Sequence, residues 1–382
     1  MALYPHQKKF LETVDNDHAI LCYETGTGKT FTADLWLEQK NRNKNPVIIC
    51  PKQIRQNWKD TVSHATVYSF EDFLKAAPPS NPSAIVVDEA DAMASPLFVA
   101  KMRSQRTEKL YNYVMANPQT HILLLTATPV RSTPWNMHTL LVLARLLSPD
   151  KQTLQAYKDK YFELHYKPFL ARPAYFPRRG WQKMMQELIN KYTYTALMSD
   201  LVNLPEETHE VIKLAMPEHE RNDDWEPMAQ FVADHRLEQL SKGAEIKRLS
   251  KGYRKVVVVA HYTEQIQQLQ KELSNEREVF VLDGRTGRPE QVIADAEASP
   301  ECYIIIQASI GAGFELPSFA VMIFASEGYS VRNYTQMIGR IKRINSLKPT
   351  KYFYLIGGRC DKMIYDSIQK GKDFVPSHYL AT

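Results

Sequence analysis

Ala19-Ile20-Leu21-Cys22, running directly into Tyr23-Glu24-Thr25-Gly26-Thr27-Gly28-Lys29-Thr30, is the stretch that decides the fold. A short apolar run empties into a glycine-rich turn and then into the helix-like segment Thr30–Lys40. Strand, turn and helix in that order form the tail of a phosphate-binding loop. Gly26 and Gly28 let backbone N–H groups curl around phosphate oxygens, and the following helix aims its positive end at the same place. Lys29 is placed to reach the β- and γ-phosphates, and the Thr30 hydroxyl to ligate Mg²⁺. Tyr23 departs from the general pattern G-x-x-x-x-G-K-[ST], which has glycine there. A plain Gly/Thr-rich surface turn would leave the order of lysine and threonine after a buried strand unexplained.

The bulk numbers set the frame. At 382 residues the chain suits two domains rather than one ordinary core. A hydrophobic content of 44% with 24% charged residues describes a soluble globular protein. No apolar run is long enough to span a bilayer, and Met1-Ala2-Leu3-Tyr4-Pro5-His6 lacks a signal-peptide pattern, so an intracellular, cytoplasmic protein with no membrane partner is expected. Cys22, Cys50, Cys302 and Cys360 are widely spaced and read as free thiols rather than disulfides or a zinc site. The net charge of +5 permits a polyanionic partner without requiring one.

Short Val/Ile-rich runs recur at Val47–Cys50, Ala84–Val87, Ile122–Leu125, Val256–Ala260, Val279–Leu282, Tyr303–Ile306, Val321–Phe324 and Tyr352–Ile356, with helix-like stretches such as Gln53–Ser63 and Glu264–Leu273 between them. Continuously apolar strands belong to parallel sheets buried on both faces, so the class is α/β, with ligands at the carboxyl ends of the strands. The long middle, about 131 to 250, reads mostly helical and polar; Lys167–Gly180, with Pro168, Pro173, Pro177, Arg172, Arg178 and Arg179, reads as an irregular basic protrusion. The junction is expected near Val202–Glu207, dividing the chain into domains 1–203 and 204–382, with the helical insertion over about 131–200.

A second group of residues belongs with the loop. Ala84-Ile85-Val86-Val87 runs into Asp88-Glu89-Ala90-Asp91. Asp88 suits holding Mg²⁺, and Glu89 suits orienting and deprotonating an attacking water. A solvated acidic turn is the bland alternative, and it weakens once both motifs occur in this order at strand ends. Leu123-Leu124-Leu125 then empties into Thr126-Ala127-Thr128-Pro129, whose hydroxyls are placed to bond the Asp88–Asp91 segment and couple nucleotide state to neighbouring loops. In the C-terminal half, Gln336, Arg340 and Arg343 fall at helical spacings of four and three, presenting an amide and two guanidiniums on one face. Such a face suits a γ-phosphate approached from outside the loop. Ser309-Ile310-Gly311-Ala312-Gly313-Phe314 is a glycine-rich turn after a strand, with Gly313 able to bring backbone N–H near a phosphate.

Taken together these motifs resemble those of superfamily 2 helicases and translocases, specifically the Swi/Snf-like branch, over nearly the whole chain. Leu3-Tyr4-Pro5-His6-Gln7 looks like the adenine-reading element, with Gln7 on the base. Glu24–Thr30, with Glu24, Thr25 and Thr27 in the loop, is similar to motif I; Pro51-Lys52 through Asn57-Trp58 to motif Ia; Val67-Tyr68-Ser69-Phe70 to motif Ib. Asp88–Asp91 and Thr126–Pro129 resemble motifs II and III; Val256–Tyr262, including His261, resembles motif IV; Ser309–Phe314 and Gln336–Arg343 resemble motifs V and VI. Leu204-Pro205 and Leu355–Lys362 also match that branch. Departures are the literal Asp-Glu-Ala-Asp of motif II, Thr-Ala-Thr-Pro in motif III, and Glu315 where the branch commonly has asparagine.

The resemblance implies two tandem RecA-like domains with parallel sheets flanked by helices, plus the mostly helical insertion, and ATP with Mg²⁺ in the cleft. It implies catalysis by Lys29, Glu89, Arg340 and Arg343, coupling through Asp91, Thr126, Thr128 and Gln336, and nucleic-acid contacts at Pro51, Lys52, Tyr68, His261 and Ser309. Arg178 and Arg179 are added as a basic-loop candidate for the same surface. The expected activity is a DNA-stimulated ATPase that translocates on duplex or branched DNA, remodelling forks, branches or bound proteins. Little sequence lies outside the two lobes, which favours a compact DNA-processing translocase, as some phages and viruses encode, over a chromatin remodeller. An RNA helicase, suggested by Asp-Glu-Ala-Asp, and a non-hydrolysing ATP-gated binding module are the alternatives.

Overall fold

The computed structural model describes residues 3–14, 18–39, 42–99, 102–130, 133–165, 174–201, 206–215, 227–239, 242–310, 314–342, 348–374 and 376. The chain divides into two compact units, Met1–Val202 and Asn203–Thr382. Both are RecA-like: a six-stranded parallel sheet flanked by helices.

The strands of the first unit are β1 (His18–Tyr23), β2 (Val47–Cys50), β3 (Thr66–Ser69), β4 (Ala84–Val87), β5 (His121–Thr126), β6 (Phe162–His165), β7 (Ala174–Pro177) and β8 (Tyr194–Ala196). Six of them pair in the order β3-β2-β4-β5-β1-β8, all parallel. Every residue of β2 and β4 is buried, because helices cover both faces. Alternate residues feed two cores. Ile20, Ile49, Ile85, Val87 and Leu124 join Leu110 and Leu140 on one face; Leu21, Ile48, Val86, Leu123 and Leu125 join Trp36 and Trp58 on the other. Because β4, β5 and β1 are neighbours, the segments that leave their carboxyl ends share one edge of the sheet. That adjacency assembles the site described below.

The second unit contains β9 (Glu207–Lys213), β10 (Lys255–Ala260), β11 (Glu278–Leu282), β12 (Cys302–Gln307), β13 (Val321–Phe324) and β14 (Thr350–Ile356), ordered β11-β12-β10-β13-β14-β9. Again alternation feeds two cores, Val257, Val259, Ile304 and Ile306 on one face and Val256, Val258, Ile305 and Ile323 on the other. A buried ion cluster ties its helices to the sheet. Lys242 Nζ donates to Asp361 Oδ2 (2.5 Å), to the carbonyls of Ala325 (2.6 Å) and Leu355 (3.1 Å), and to Gln239 Oε1 (3.0 Å). Asp361 Oδ1 takes further bonds from His235 Nε2 and Gln239 Nε2, so these two buried charges are paired and their hydrogen bonds met. All four cysteines are free thiols. Among the described residues no helix is long and apolar enough to cross a membrane.

Five strands escape a search for continuous apolar runs. β3 and β8 are only four and three residues long, and β9 is a largely exposed edge strand, Glu-Thr-His-Glu-Val-Ile-Lys. β6 and β7 correct only the reading of an irregular protrusion; the described residues of the middle segment are otherwise mostly helical, as expected. The two strands pair antiparallel as a hairpin between the helices Lys151–Tyr161 and Trp181–Tyr192, with Phe162 opposite Pro177 and Leu164 opposite Tyr175. Pro168, Arg172 and Pro173 lie outside the described residues, as do Leu204 and Pro205.

One buried histidine gives the first unit a pH dependence. His138 is fully buried in the helix Trp135–Leu143, with ring centroids at 4.6 Å from Tyr157, 5.6 Å from Phe98 and 5.9 Å from Trp135. Neither ring nitrogen has a hydrogen-bond partner among the described residues. Burial, with the Lys158 charge adding to it, pushes its pKa from 6.5 down to about 4. The folded value lies below the unfolded one, so the unfolded chain takes up the proton first. This contribution to stability is complete above about 6.5 and is lost as pH falls towards 4. His138→Phe, which keeps an aromatic ring in the nest, flattens the acid limb of the stability–pH curve measured by denaturant unfolding between pH 7 and 4. An unchanged acid limb would remove His138 as its source.

Candidate nucleotide site and its couplings

The loop after β1 is shaped by two left-handed glycines, Gly26 at φ +87° and Gly28 at φ +85°. Gly28 caps the helix Lys29–Glu38. A Cβ there would fall 2.5 Å from Gln7 Nε2, so the loop needs glycine for close packing as well as for its backbone angle. Lys29 Nζ donates to the carbonyls of Tyr23 (2.9 Å) and Glu24 (3.4 Å), which holds the ammonium over the loop. Thr27 Oγ1 donates to the Glu24 carbonyl at 2.7 Å. Thr30 stands in the first turn of the helix.

The N-terminal helix Pro5–Thr13 is fastened to this loop. His6 Nε2 lies 3.0 Å from the Thr27 carbonyl, and Tyr23 Oη donates to the His6 carbonyl at 3.1 Å. Gln7 is buried, and its Oε1 accepts from Tyr4 N at 3.1 Å. Tyr23, the departure from the glycine pattern, is therefore the clamp between loop and helix. His6 is a contact that motif reading passes over; its position one residue before Gln7 is the only sequence hint.

At the end of β4 the carboxylates separate by environment. Asp88 is 5% exposed. Its Oδ2 accepts from Trp58 Nε1 at 2.9 Å and its Oδ1 from Glu89 N at 2.9 Å. Burial first, then the neighbouring Glu89 charge, pushes its pKa up to about 6, while Lys29 and the Trp58 N–H oppose the rise. Glu89 has φ +51°, a left-handed backbone at a non-glycine residue, which costs of order 1–2 kcal/mol. Strain of this kind collects where a side chain must be aimed at one place. Asp91 is buried and accepts from Thr126 Oγ1 (2.9 Å) and Thr128 Oγ1 (3.3 Å), while Thr128 N donates to Thr126 Oγ1 (3.0 Å). The ends of β4 and β5 are thus joined by a closed set of hydrogen bonds.

The donor set fits a nucleoside triphosphate with Mg²⁺. A glycine-shaped loop at a helix N-terminus, a lysine, the Thr30 hydroxyl and two carboxylates converge on one sheet edge. Thr25 Oγ1 is buried within the loop with no hydrogen-bond partner among the described residues, a polar atom that a phosphate oxygen would satisfy.

The remaining candidates are distributed as follows. Pro51 is buried and Lys52 exposed at the turn after β2; Tyr68 packs half-buried against Phe73. His261 packs on Tyr329 with centroids 4.6 Å apart, its pKa pushed down to about 4 by burial and His235. Ser309 is exposed after β12. Arg179 is exposed, whereas Arg178 is tied to the hairpin base through Glu163 Oε1 (3.4 Å) and the Asp159 carbonyl (3.0 Å).

In the second unit the expected continuous helix face is corrected. The helix Val331–Ile338 ends before Arg340, so Gln336 and Arg340 do not share it. Arg340 is buried, and its Nη1 donates to the Phe314 carbonyl at 2.7 Å with the guanidinium 4.8 Å from the Phe314 ring. Arg343 and Gly313 lie outside the described residues.

Residues 237–345 match the helicase conserved C-terminal domain. Among solved structures it is similar to the Sulfolobus solfataricus SWI2/SNF2 ATPase core in complex with dsDNA, at 14% identity and a TM-score of 0.42, over 99% of this chain and 93% of that one. No curated protein sequence matches the chain.

Trp58 is the residue whose role only the geometry exposes. Trp58→Phe keeps a ring in the core and removes one N–H from a buried carboxylate, a loss worth about 1–3 kcal/mol. The apparent Mg²⁺ affinity, read by Mg²⁺ titration of a bound fluorescent ATP analogue, is expected to fall, and the unfolding free energy to drop by about that 1–3 kcal/mol. An unaltered Mg²⁺ titration would show that Trp58 only fills space.

Proposed function

We propose that this protein is a nucleic-acid-stimulated ATPase of the Swi/Snf-like kind that translocates on DNA. The observation that carries the reading is the hydrogen-bonded set Trp58–Asp88 and Asp91–Thr126–Thr128 beside a glycine-lysine-threonine loop, in a chain whose second unit carries a helicase C-terminal domain.

In this reading the loop N–H groups and Lys29 bind the β- and γ-phosphates of ATP, and Thr30 and Asp88 hold Mg²⁺. Mg²⁺ supplies neutralisation of the phosphate charge. Glu89, aimed by its left-handed backbone, orients the attacking water and takes its proton. Gln7 lies against the loop at Gly28, where it serves adenine recognition. Arg343 is the arginine that the motif resemblance assigns to the γ-phosphate. Arg340, committed to Phe314, holds the segments around motifs V and VI together. Loss of the γ-phosphate relaxes the Asp91–Thr126–Thr128 set, which passes the change to the segment after β5. Lys52, Ser309 and the neighbouring turns take the nucleic-acid backbone through phosphate contacts, which makes binding largely sequence-independent and salt-sensitive. Forks, branched DNA or DNA-bound proteins are the substrates such motion would remodel.

Glu89→Gln keeps size and hydrogen-bonding capacity but removes the base. ATP affinity, measured by equilibrium binding, is expected to stay within a few-fold of the parent, while turnover falls by about 10²–10⁴. Undiminished turnover would take Glu89 out of the catalytic role.

A further inference from the structure

The positive charge of this chain is concentrated in one place. Between residues 151 and 192 there are nine Lys/Arg and three Asp/Glu, a surplus of six in a chain whose total is +5, so the rest of the sequence is net negative by one. This stretch is the appendage formed by the helix Lys151–Tyr161, the β6–β7 hairpin and the helix Trp181–Tyr192.

The hairpin also carries an apolar face out of the core. Phe162 at its base is buried, stacked on Trp135 with centroids 4.3 Å apart. Two residues further along the same face stands Leu164, directly opposite Tyr175. This outer pair is exposed, Leu164 at 46% and Tyr175 at 37%. Lys158 Nζ sits 5.1 Å from the centroid of the Tyr175 ring. The opposite face is occupied differently, by the Arg178–Glu163 pair and by His165 edge-on to Phe176. An apolar cross-strand pair in solvent, beside the Lys158 ammonium and within this strongly basic stretch, matches a polyanion that also offers flat apolar surfaces.

We propose that the Leu164–Tyr175 face of the hairpin docks a single-stranded segment of nucleic acid, with an unpaired base stacking on Tyr175 and a flanking phosphate held by Lys158. Duplex DNA hides its base faces in the stack, whereas an unpaired base presents one, and base–aromatic stacking is tolerant of sequence. This rests on the nucleic-acid reading above and adds a second, distinct surface to it.

The test uses the full-length chain and a fluorescein-labelled single-stranded oligonucleotide, with anisotropy measured across a salt series. Tyr175→Ala is expected to weaken binding about tenfold to a hundredfold with little change in salt slope, and Tyr175→Phe to retain it. Lys158→Glu is expected to weaken binding and to reduce the salt slope by about 0.7, the share of one phosphate on a single strand. All three variants should keep the parent's ATP hydrolysis in the absence of nucleic acid. Heparin, a polyanion without bases, should feel Lys158→Glu and not Tyr175→Ala; an equal effect of Tyr175→Ala on both ligands overturns the stacking. If the parent binds and every variant binds as tightly with the same slope, this surface is refuted while the ATPase reading stands. If the parent binds no nucleic acid, the broader reading fails as well.

Discussion

A carboxylate buried at the end of a fully apolar strand is the constraint on which the first unit's site depends. The β4 side chains are shut away on both faces of the sheet, so the residue that follows them starts from a dry environment. Asp88 inherits that environment and, beside Glu89, is pushed towards its neutral form. It is held against this by N–H groups from Trp58 and Glu89 and by the nearby Lys29 charge. A carboxylate so placed binds a cation more readily than one already solvated, because the cation replaces hydration that the fold has removed. The left-handed Glu89 beside it is the local cost of turning the chain at that strand end.

The same geometry ties the site to its neighbouring segments. Trp58 lies in the helix Arg55–Thr61, which follows the turn at Pro51-Lys52, so that turn and the Asp88 carboxylate share one short rigid element. On the other side of Asp88, Asp91 reads the positions of Thr126 and Thr128 through two hydrogen bonds. Such small sets of buried hydrogen bonds have few alternative arrangements, so a shift at one member moves the others. The first unit therefore joins its glycine-shaped loop to the ends of β4 and β5 through buried hydrogen bonds.

Much of this was legible in the sequence because the chemistry sits where apolar runs stop. Tyr23, Asp88 and Thr126 each end or directly follow a strand that reads as continuous Val, Ile and Leu, and two central sheets follow from those runs alone. The short and edge strands were not legible: β3, Thr-Val-Tyr-Ser, is not continuously apolar, β8 is only three residues long, and β9 is polar because much of it is exposed. The hairpin was hidden for a different reason. Its sequence mixes prolines and arginines, and only the pairing of Phe162 with Pro177 and Leu164 with Tyr175 turns a basic loop into two strands. Contacts between distant segments, such as His6 on the phosphate loop or Trp58 on Asp88, leave no spacing signal at all. The helix spacing of Gln336, Arg340 and Arg343 was misleading, since the helix stops at Ile338 and Arg340 turns onto Phe314.

The second unit supplies a rigid frame through the Lys242–Asp361 cluster, which locks helices to strand ends with those two charges paired. With a helicase C-terminal domain across that unit, the central claim is that the first unit's nucleotide chemistry answers to bound DNA. The most direct measurement compares steady-state ATP hydrolysis with no polynucleotide, single-stranded DNA, duplex DNA, branched DNA and RNA in one assay. The account predicts stimulation by DNA that weakens as salt rises. Stimulation by RNA alone, or hydrolysis indifferent to every polynucleotide, would contradict it.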